Sequence, residues 1–148
     1  MDHDVLTLAR VARVLERACT DLTLAQYRLM AMIAGGAERA SHLAGELALT
    51  KPTVSATLDT LVERGLVERQ AVDGDRRATR LSVSAPGAAA LLRAESSMRE
   101  HLDDVLARVD DPAALRRSLA QLAAALDQRR NERRNERRDG RRADGTRR

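Results

Sequence analysis

Hydrophobic positions in the first part of the chain recur at steps of three and four residues, the spacing of one face of an α-helix. A second helix is predicted to start at Thr23, because Thr23 and Gln26 have the spacing of a capping box. The pair Gly35-Gly36 is expected to end it, since glycine readily adopts the left-handed conformation of a C-cap. The inward positions are Val5, Leu8, Ala12, Leu15, Cys19 and Leu22 in the first helix and Leu24, Tyr27, Met30 and Ile33 in the second.

Two short helices joined by a brief turn are predicted next, over residues 41–63. Ser41 is expected to cap the first of them. The second begins after the capping residue Thr50, has Pro52 in its first turn, where the missing N–H costs little, and is closed by Gly65. This arrangement is typical of a helix-turn-helix. The inward positions are expected to be Leu43, Ala44 and Leu47 in the first helix and Val54, Leu58, Leu61 and Val62 in the second.

After Gly65 the helical spacing gives way to alternation of apolar and polar residues. Residues 66–72 and 79–83 are predicted strands, and the sequence Asp73-Gly74-Asp75 lies at the turn between them. A hairpin directly after a helix-turn-helix is a wing.

Two longer helices are predicted after Pro86 and Gly87, separated at Pro112 by a stop and restart signal. The fold class is therefore mainly α with a small β-hairpin wing. Residues 23–85 form the winged helix-turn-helix, and residues 1–22 and 86–129 form a flanking helical region. The apolar stripes are Leu91, Met98, Leu102, Val105 and Val109 in the first long helix and Leu115, Leu119, Leu122 and Leu126 in the second.

The composition favours packed helices, because hydrophobic residues make up 43% of the chain but aromatic residues only 1%. The core must be built from Leu, Val, Ala and Met. A single cysteine excludes an internal disulfide framework. The N-terminus is acidic where a signal peptide would be basic, and no apolar run approaches the ~20 residues of a membrane span. We therefore expect a soluble, cytoplasmic protein.

The positive charge is concentrated in the tail. From Arg129 onward there are ten arginines and four acidic residues, a charge of +6, while the whole chain carries +4, which leaves −2 for residues 1–128. Residues 130–148 contain one apolar residue, Ala143, and are expected to be disordered or a frayed extension of the last helix. Such a tail can bind DNA phosphates without sequence preference or simply keep the protein soluble, and the sequence favours neither.

Small polar side chains on the helix after Thr50 are candidates for contact with DNA, since such residues near a helix N-terminus can approach phosphates and base edges closely. At the wing tip, Arg76 and Arg77 suit a narrow minor groove, and Asp75 can orient one of them. Taken alone, both sets could be ordinary solvated surface. The helix positions expected to face outward are Lys51, Thr53, Ala56 and Thr57, with Ser55 on a flank.

The order and spacing of these features resemble the MarR family of winged helix-turn-helix transcription regulators, over roughly residues 20–90. The segments that carry the resemblance are Leu24-Ala25-Gln26-Tyr27, Leu43-Ala44, Thr53-Val54-Ser55, Leu61-Val62-Glu63-Arg64-Gly65-Leu66-Val67-Glu68-Arg69, Asp75-Arg76-Arg77, Leu81-Ser82-Val83-Ser84 and Gly87.

The resemblance implies a homodimer held together by the flanking helices, with two winged domains that bind a pseudo-palindromic operator whose half-sites are about 34–36 Å apart. It implies a repressor released by a small molecule, a recognition helix over residues 50–63, and Arg77 in the minor groove, held by Asp75. Relatives often carry Arg or Lys where this chain has Ala56. The implied DNA-binding residues are Lys51, Pro52, Thr53, Ser55, Thr57, Asp75, Arg76 and Arg77, and the implied effector pocket contains Tyr27, Arg28 and Met30.

Other chemistry has little support in the sequence. Cys19 invites comparison with peroxide-sensing relatives, but it occupies an apolar position where cysteine behaves as a small hydrophobe. The three histidines, His3, His42 and His101, lack metal-ligand spacing, and no catalytic motif is present. We therefore expect no metal, no cofactor and no enzymatic activity. The alternative function is an architectural or protein-interaction module whose arginine-rich tail coats nucleic acid.

Overall fold

A computed structural model of the chain describes the backbone of residues 2–37, 40–47, 49–72 and 75–145, and their side chains except those of residues 40–42, 71–72, 75–79, 134 and 137–145. The predicted class, mainly α with a two-stranded hairpin, is confirmed. The elements in chain order are α1 (His3–Ala18), α2 (Leu24–Ala34), α3 (Ala40–Leu47), α4 (Lys51–Glu63), β1 (Val67–Val72), β2 (Asp75–Val83), α5 (Ala85–Leu106) and α6 (Pro112–Gly145).

The chain divides into two compact units, residues 1–105 and 106–148. The first unit contains a continuous core in which α2, α3 and α4 pack with the hairpin and the first half of α5. Burial of these aliphatic side chains is the main force that holds the winged helix together. The largest fully buried side chains are Leu29, Met30, Leu43, Val54, Leu58, Leu61 and Val67.

The predicted boundaries of α2 are confirmed by hydrogen bonds. The Thr23 N–H donates to Gln26 Oε1 at 3.0 Å, and the Gln26 N–H donates to Thr23 Oγ1 at 3.1 Å, which completes a capping box. At the other end Gly36 has φ +95°, and the Ala37 N–H donates to the Met32 carbonyl at 2.9 Å. This is the Schellman pattern, which satisfies carbonyl groups that a helix end leaves unpaired.

The end of α4 has the same construction. Gly65 has φ +67°, and the Leu66 N–H donates back to the Leu61 carbonyl at 2.9 Å. Because the Leu66 N–H is used by the helix end, β1 begins at Val67, one residue later than the sequence predicted. The strand pairs antiparallel with β2, with Val67 opposite Val83.

Three other boundaries differ from the expected ones. β2 begins at Asp75, which was expected in the turn, whereas Asp73 and Gly74 lie outside the described residues. α3 begins at Ala40, so Ser41 lies inside the helix and does not precede it. α1 ends at Ala18, and Leu22 is buried in the segment that follows.

The structure continues α6 as a helix to Gly145. Arginine, glutamate, glutamine and alanine all favour helix, and no proline follows Pro112. The Gln128 side chain also donates to Glu132 Oε1 at 3.0 Å, one turn along.

The start of α5 packs closely against the end of α4. The Ser84 hydroxyl donates to the Gly65 carbonyl at 2.6 Å and accepts a hydrogen bond from the Gly87 N–H at 3.1 Å. The Ser84 N–H donates to the Leu66 carbonyl at 3.1 Å. Gly87 itself lies so near Leu66 that an added Cβ would overlap the Leu66 carbonyl. One serine therefore joins α4, β1, β2 and α5.

Replacing Gly87 with alanine is expected to destabilise the protein by roughly 1–3 kcal/mol or more, the usual cost of overpacking, because the new Cβ would meet backbone. Gly35→Ala is the matched control, since its Cβ would lie 3.4 Å from the Ala31 carbonyl oxygen in ordinary contact. Urea denaturation followed by circular dichroism measures both variants. Equal stability of the two would contradict the close approach to Leu66.

Candidate nucleic-acid interface

The start of α4 is fixed by its cap. Thr50 Oγ1 accepts a hydrogen bond from the Thr53 N–H at 3.3 Å and lies 2.8 Å from Thr53 Oγ1. The Val54 N–H donates to the Thr50 carbonyl at 3.1 Å, and Pro52 has no N–H. The cap and the proline thus leave few first-turn N–H groups of α4 for an anion. The positive helix end and the exposed Lys51 ammonium are what remain to attract an anion.

Most of the predicted α4 residues lie on its exposed surface. Lys51, Pro52, Thr53 and Ser55 are exposed, whereas Thr57 is half-buried. The Thr57 hydroxyl donates to the Thr53 carbonyl at 2.8 Å, so its proton is committed to the helix. The helix therefore offers four exposed side chains of the predicted set near its N-terminus.

Three outward residues farther along α4 were not predicted from the sequence. Asp59, Thr60 and Glu63 are exposed; at about 100° per residue, Thr60 and Glu63 lie on the side away from the buried Leu58, and Asp59 lies on its flank. Their positions three, four and seven residues after the outward Ala56 could have predicted this.

The carboxylates on this face set a limit on close approach to DNA. Asp59 pairs with Arg69 of β1 at 2.8 Å, and both side chains are substantially exposed. This pair offsets one charge that would repel phosphate. Glu63 adds a second carboxylate in the last turn of the helix. The N-terminal half of α4 is therefore the part best suited to approach a polyanion.

The wing residues are located only by their backbone. Asp75, Arg76 and Arg77 open β2, and Asp75 pairs with Val72. Their side chains lie outside the described residues, so their contact with a minor groove stays a prediction.

Arg64, the C-cap of α4, ties this helix to the segment between α1 and α2. Its guanidinium donates to the Asp21 carbonyl at 2.6 Å and to Gln26 Oε1 at 3.3 Å. The Asp21 carboxylate in turn pairs with Arg93 of α5 at 2.8 Å. Arg64 had no expected role beyond the family motif, because these partners are about 40 residues away in the chain.

An open pocket of about 630 Å³ lies beside this junction. The three residues proposed from sequence for an effector pocket are not among its lining residues. Arg28 is exposed, Tyr27 is half-buried against the core, and Met30 has no exposed surface. The residues that line it are Glu16, Cys19, Thr20, Asp21, Leu22, Thr23, Leu24, Ala25, Gln26 and Arg64.

Cys19 lines this pocket as a weakly acidic thiol. Burial raises the pKa of Cys19, and the Glu16 carboxylate raises it further. Burial also raises the pKa of Tyr27, with a smaller contribution from Glu95. A raised thiol pKa lowers the fraction of reactive thiolate, which disfavours peroxide sensing.

The described residues contain neither a membrane-spanning helix nor a metal cluster. Among them, no helix is both long enough and apolar enough to cross a membrane. In the same part of the chain, no three His, Cys, Asp or Glu residues lie close enough together to hold a metal ion.

The chain is similar to known proteins in both sequence and fold. The MarR family model matches residues 20–78. MarR from E. coli is 20% identical with a TM-score of 0.69, covering 85% of this chain and 97% of that one. The repressor CouR bound to a DNA duplex is 26% identical with a TM-score of 0.70, covering 82% and 87%. The M. tuberculosis regulator MosR in complex with DNA is 28% identical with a TM-score of 0.59, covering 86% and 95%. No curated protein matches the sequence.

The capped helix pair, the hairpin that follows it and these matches define a winged-helix protein of the class that regulates transcription. The chain has the winged-helix fold of MarR-family transcriptional regulators, and residues 20–78 match the model of that family.

The Cys19 thiol is expected to react slowly with iodoacetamide at neutral pH, because its raised pKa leaves little thiolate. The rate should keep rising with pH above about 8.5, where an ordinary thiol is already half ionised. The same protein unfolded in urea gives the reference rate, and Glu16→Gln should speed the folded protein. A folded-state rate at pH 7 above the unfolded one would contradict this assignment.

Proposed function

We propose that this protein is a homodimeric repressor that binds a pseudo-palindromic operator through α4 and the wing and is released by a small molecule. The observation that carries the proposal is the exposed N-terminal half of α4 on a helix held at both ends. Thr50 caps its start, and Arg64 ties its end to the preceding helices. A helix fixed in this way can present side chains to base edges in one register.

In the proposed complex, the N-terminal half of α4 enters the major groove, which is about 12 Å wide. Lys51 contacts phosphate, and the hydroxyls of Thr53 and Ser55 reach base edges. The paired Asp59 and the exposed Glu63 keep the C-terminal half farther from the backbone. Because Ala56 supplies no charge at the centre of this face, specificity depends on a few short polar side chains and on DNA shape.

The wing completes the proposed contact, with Arg76 and Arg77 in the minor groove and Asp75 orienting one of them. The support is their position in the hairpin directly after α4 and the attraction of guanidinium groups to narrow minor grooves. Two similar proteins, CouR and MosR, have structures with DNA bound, which favours the same use of the fold here.

Homodimer formation is supported by apolar surface on both flanking regions. In α1, Val5 is 63% and Leu8 54% exposed, although both belong to the apolar stripe. A groove of about 350 Å³ between α1 and α5 is lined by Val11, Val14 and other residues. In α6 the exposed stripe consists of Leu115, Leu119, Leu122 and Leu126. Contiguous exposed apolar surface of this kind is typical of protein interfaces, so we assign both to the dimer.

The proposed effector site is the pocket beside Arg64. Arg64 lines this pocket and also holds the end of α4 through Asp21 and Gln26. A ligand with an acceptor or anionic group would compete for the guanidinium and loosen that connection. Binding there would favour a different α4 position and so weaken operator binding.

Substitutions in α4 test the proposed reading of DNA. Ser55→Ala is expected to cost about 1–3 kcal/mol of operator affinity, the usual value of a base contact, and to leave binding to unrelated duplexes nearly unchanged. Lys51→Gln should weaken both and lower the salt slope by about 1. Fluorescence anisotropy with the DNA upstream of the protein's own gene measures both effects.

Thr60→Ala is the matched control, since Thr60 is exposed on the same helix but lies in its C-terminal half. It should leave operator affinity unchanged. If Ser55→Ala and Lys51→Gln also leave it unchanged while removal of residues 130–148 abolishes binding, the alternative architectural module is correct and the regulator proposal fails.

Leu122→Lys is expected to convert the dimer to monomers and to abolish operator binding, because it places a charge in the proposed interface. Leu122 is 43% exposed within one chain, so the substitution should cost the monomer little. Sedimentation velocity measures the mass, and Gln121→Lys adds the same charge outside the leucine stripe as a control. A dimeric Leu122→Lys protein would exclude α6 from the interface.

A further inference from the structure

Arginine pairs recur every four residues in the C-terminal half of α6. We call them the arginine stripe. Residues four apart on an α-helix lie nearly above one another, about 6 Å apart along the axis. Since α6 runs to Gly145, the pairs advance by about 40° every four residues and form a broad band that winds around a continuous helix over about 18 Å. The members of the stripe are Arg129, Arg130, Arg133, Arg134, Arg137, Arg138, Arg141 and Arg142.

This spacing places like charges four residues apart, where a surface helix usually has opposite charges. Each of the first six arginines has another arginine four residues later, and Glu132 is followed four residues later by Glu136. Like charges at this spacing destabilise a helix by about 0.2–0.5 kcal/mol per pair, whereas a Glu four residues before an Arg would stabilise it by a similar amount. Opposite charges do occur three residues apart, as in Arg129 with Glu132 and Arg133 with Glu136, but the arginines still outnumber the carboxylates along the segment.

The stripe has the chemistry of a surface for an external polyanion. Among the described side chains of this segment, Arg129, Arg130 and Arg133 are exposed. Arg130 also pairs with Asp127 at 3.9 Å, between groups that are both exposed. From Arg129 onward the one apolar residue is Ala143, so the helix lacks the apolar face needed to lie in a membrane surface.

We propose that the arginine stripe of α6 is a second DNA-binding surface, which holds phosphates of double-stranded DNA without regard to sequence. Guanidinium groups bind phosphate oxygens in a bidentate manner. The proposal rests on the regulator function, because the stripe and the winged helix that would bind the operator belong to the same chain. Residues 1–128 carry −2, so the net positive charge that draws the protein to DNA lies in the segment that contains the stripe.

The test compares the full chain with a variant in which Arg133, Arg134, Arg137 and Arg138 are all glutamine, a good helix former. Binding to a short duplex of arbitrary sequence is followed by anisotropy between about 50 and 200 mM salt. The plot of log affinity against log salt should become less steep by about 0.9 for each phosphate that the variant no longer neutralises. If the variant no longer neutralises four phosphates, the factor by which its affinity falls over this salt range should be on the order of a hundredfold smaller than that of the full chain. Asn131→Gln with Asn135→Gln is the control and should match the unchanged chain.

A second measurement follows the helix itself. DNA neutralises the repulsion between stacked arginines, so helicity of the full chain by circular dichroism should rise on addition of the duplex. The rise should disappear in the quadruple variant. An unchanged salt slope in that variant would overturn the proposal. So would an affinity for single-stranded RNA or anionic vesicles that depends on the stripe and exceeds the affinity for the duplex.

The operator separates this proposal from the proposed function. Removal of the stripe's charge should weaken binding to operator and unrelated duplex by the same factor and keep their ratio, whereas Ser55→Ala changes the ratio. If the chain shows no operator preference but the stripe still sets the salt slope, the regulator function fails and the stripe stands. If the preference is present and the slope does not change, the stripe fails alone.

Discussion

The hydrogen bonds of Ser84 are the interaction on which the arrangement of the winged helix depends. Its hydroxyl bonds to the Gly65 carbonyl and the Gly87 N–H, and its N–H bonds to the Leu66 carbonyl. Because Ser84 is buried, each of these polar groups would cost free energy if it had no partner. The end of α4, both strands and the start of α5 thus meet at a position with little freedom, and the direction of α4 is set there.

The second connection of α4 is polar and more accessible. Arg64 bonds to a backbone carbonyl and to a side-chain amide at the edge of a pocket. A connection of this kind, beside an open site, is easier to alter than close packing at Gly87. The two connections of α4 therefore differ in character, which suits the proposed function, in which α4 is held rigidly and its position still responds to a ligand.

Charge is divided between the two parts of the chain in a way that separates specificity from affinity. The folded body carries a small negative charge and neutralises Asp59 with Arg69, so its contacts depend on a few placed side chains. The tail carries the positive charge in a regular repeat. In the proposed complex, the body would select the site and the tail would add phosphate binding that falls with salt.

The sequence alone was sufficient where local bonding decides the structure. The capping box at Thr23, the cap at Thr50 and the left-handed Gly36 and Gly65 all use hydrogen-bond partners within six residues. These features could therefore be predicted from the local sequence. The exposure of Lys51, Thr53 and Ser55 followed from helical period.

Packing between distant segments decided the rest. Met30 has the period of an inward residue, but only the assembled core shows that it has no surface left for a ligand. Arg64 and Asp21, like Asp59 and Arg69, meet because helix ends and strands come together in space. The composition of the tail is compatible with a coil or a helix. The tail continues the first part of α6 without a break, and extending an existing helix avoids the cost of nucleation, so the tail is helical.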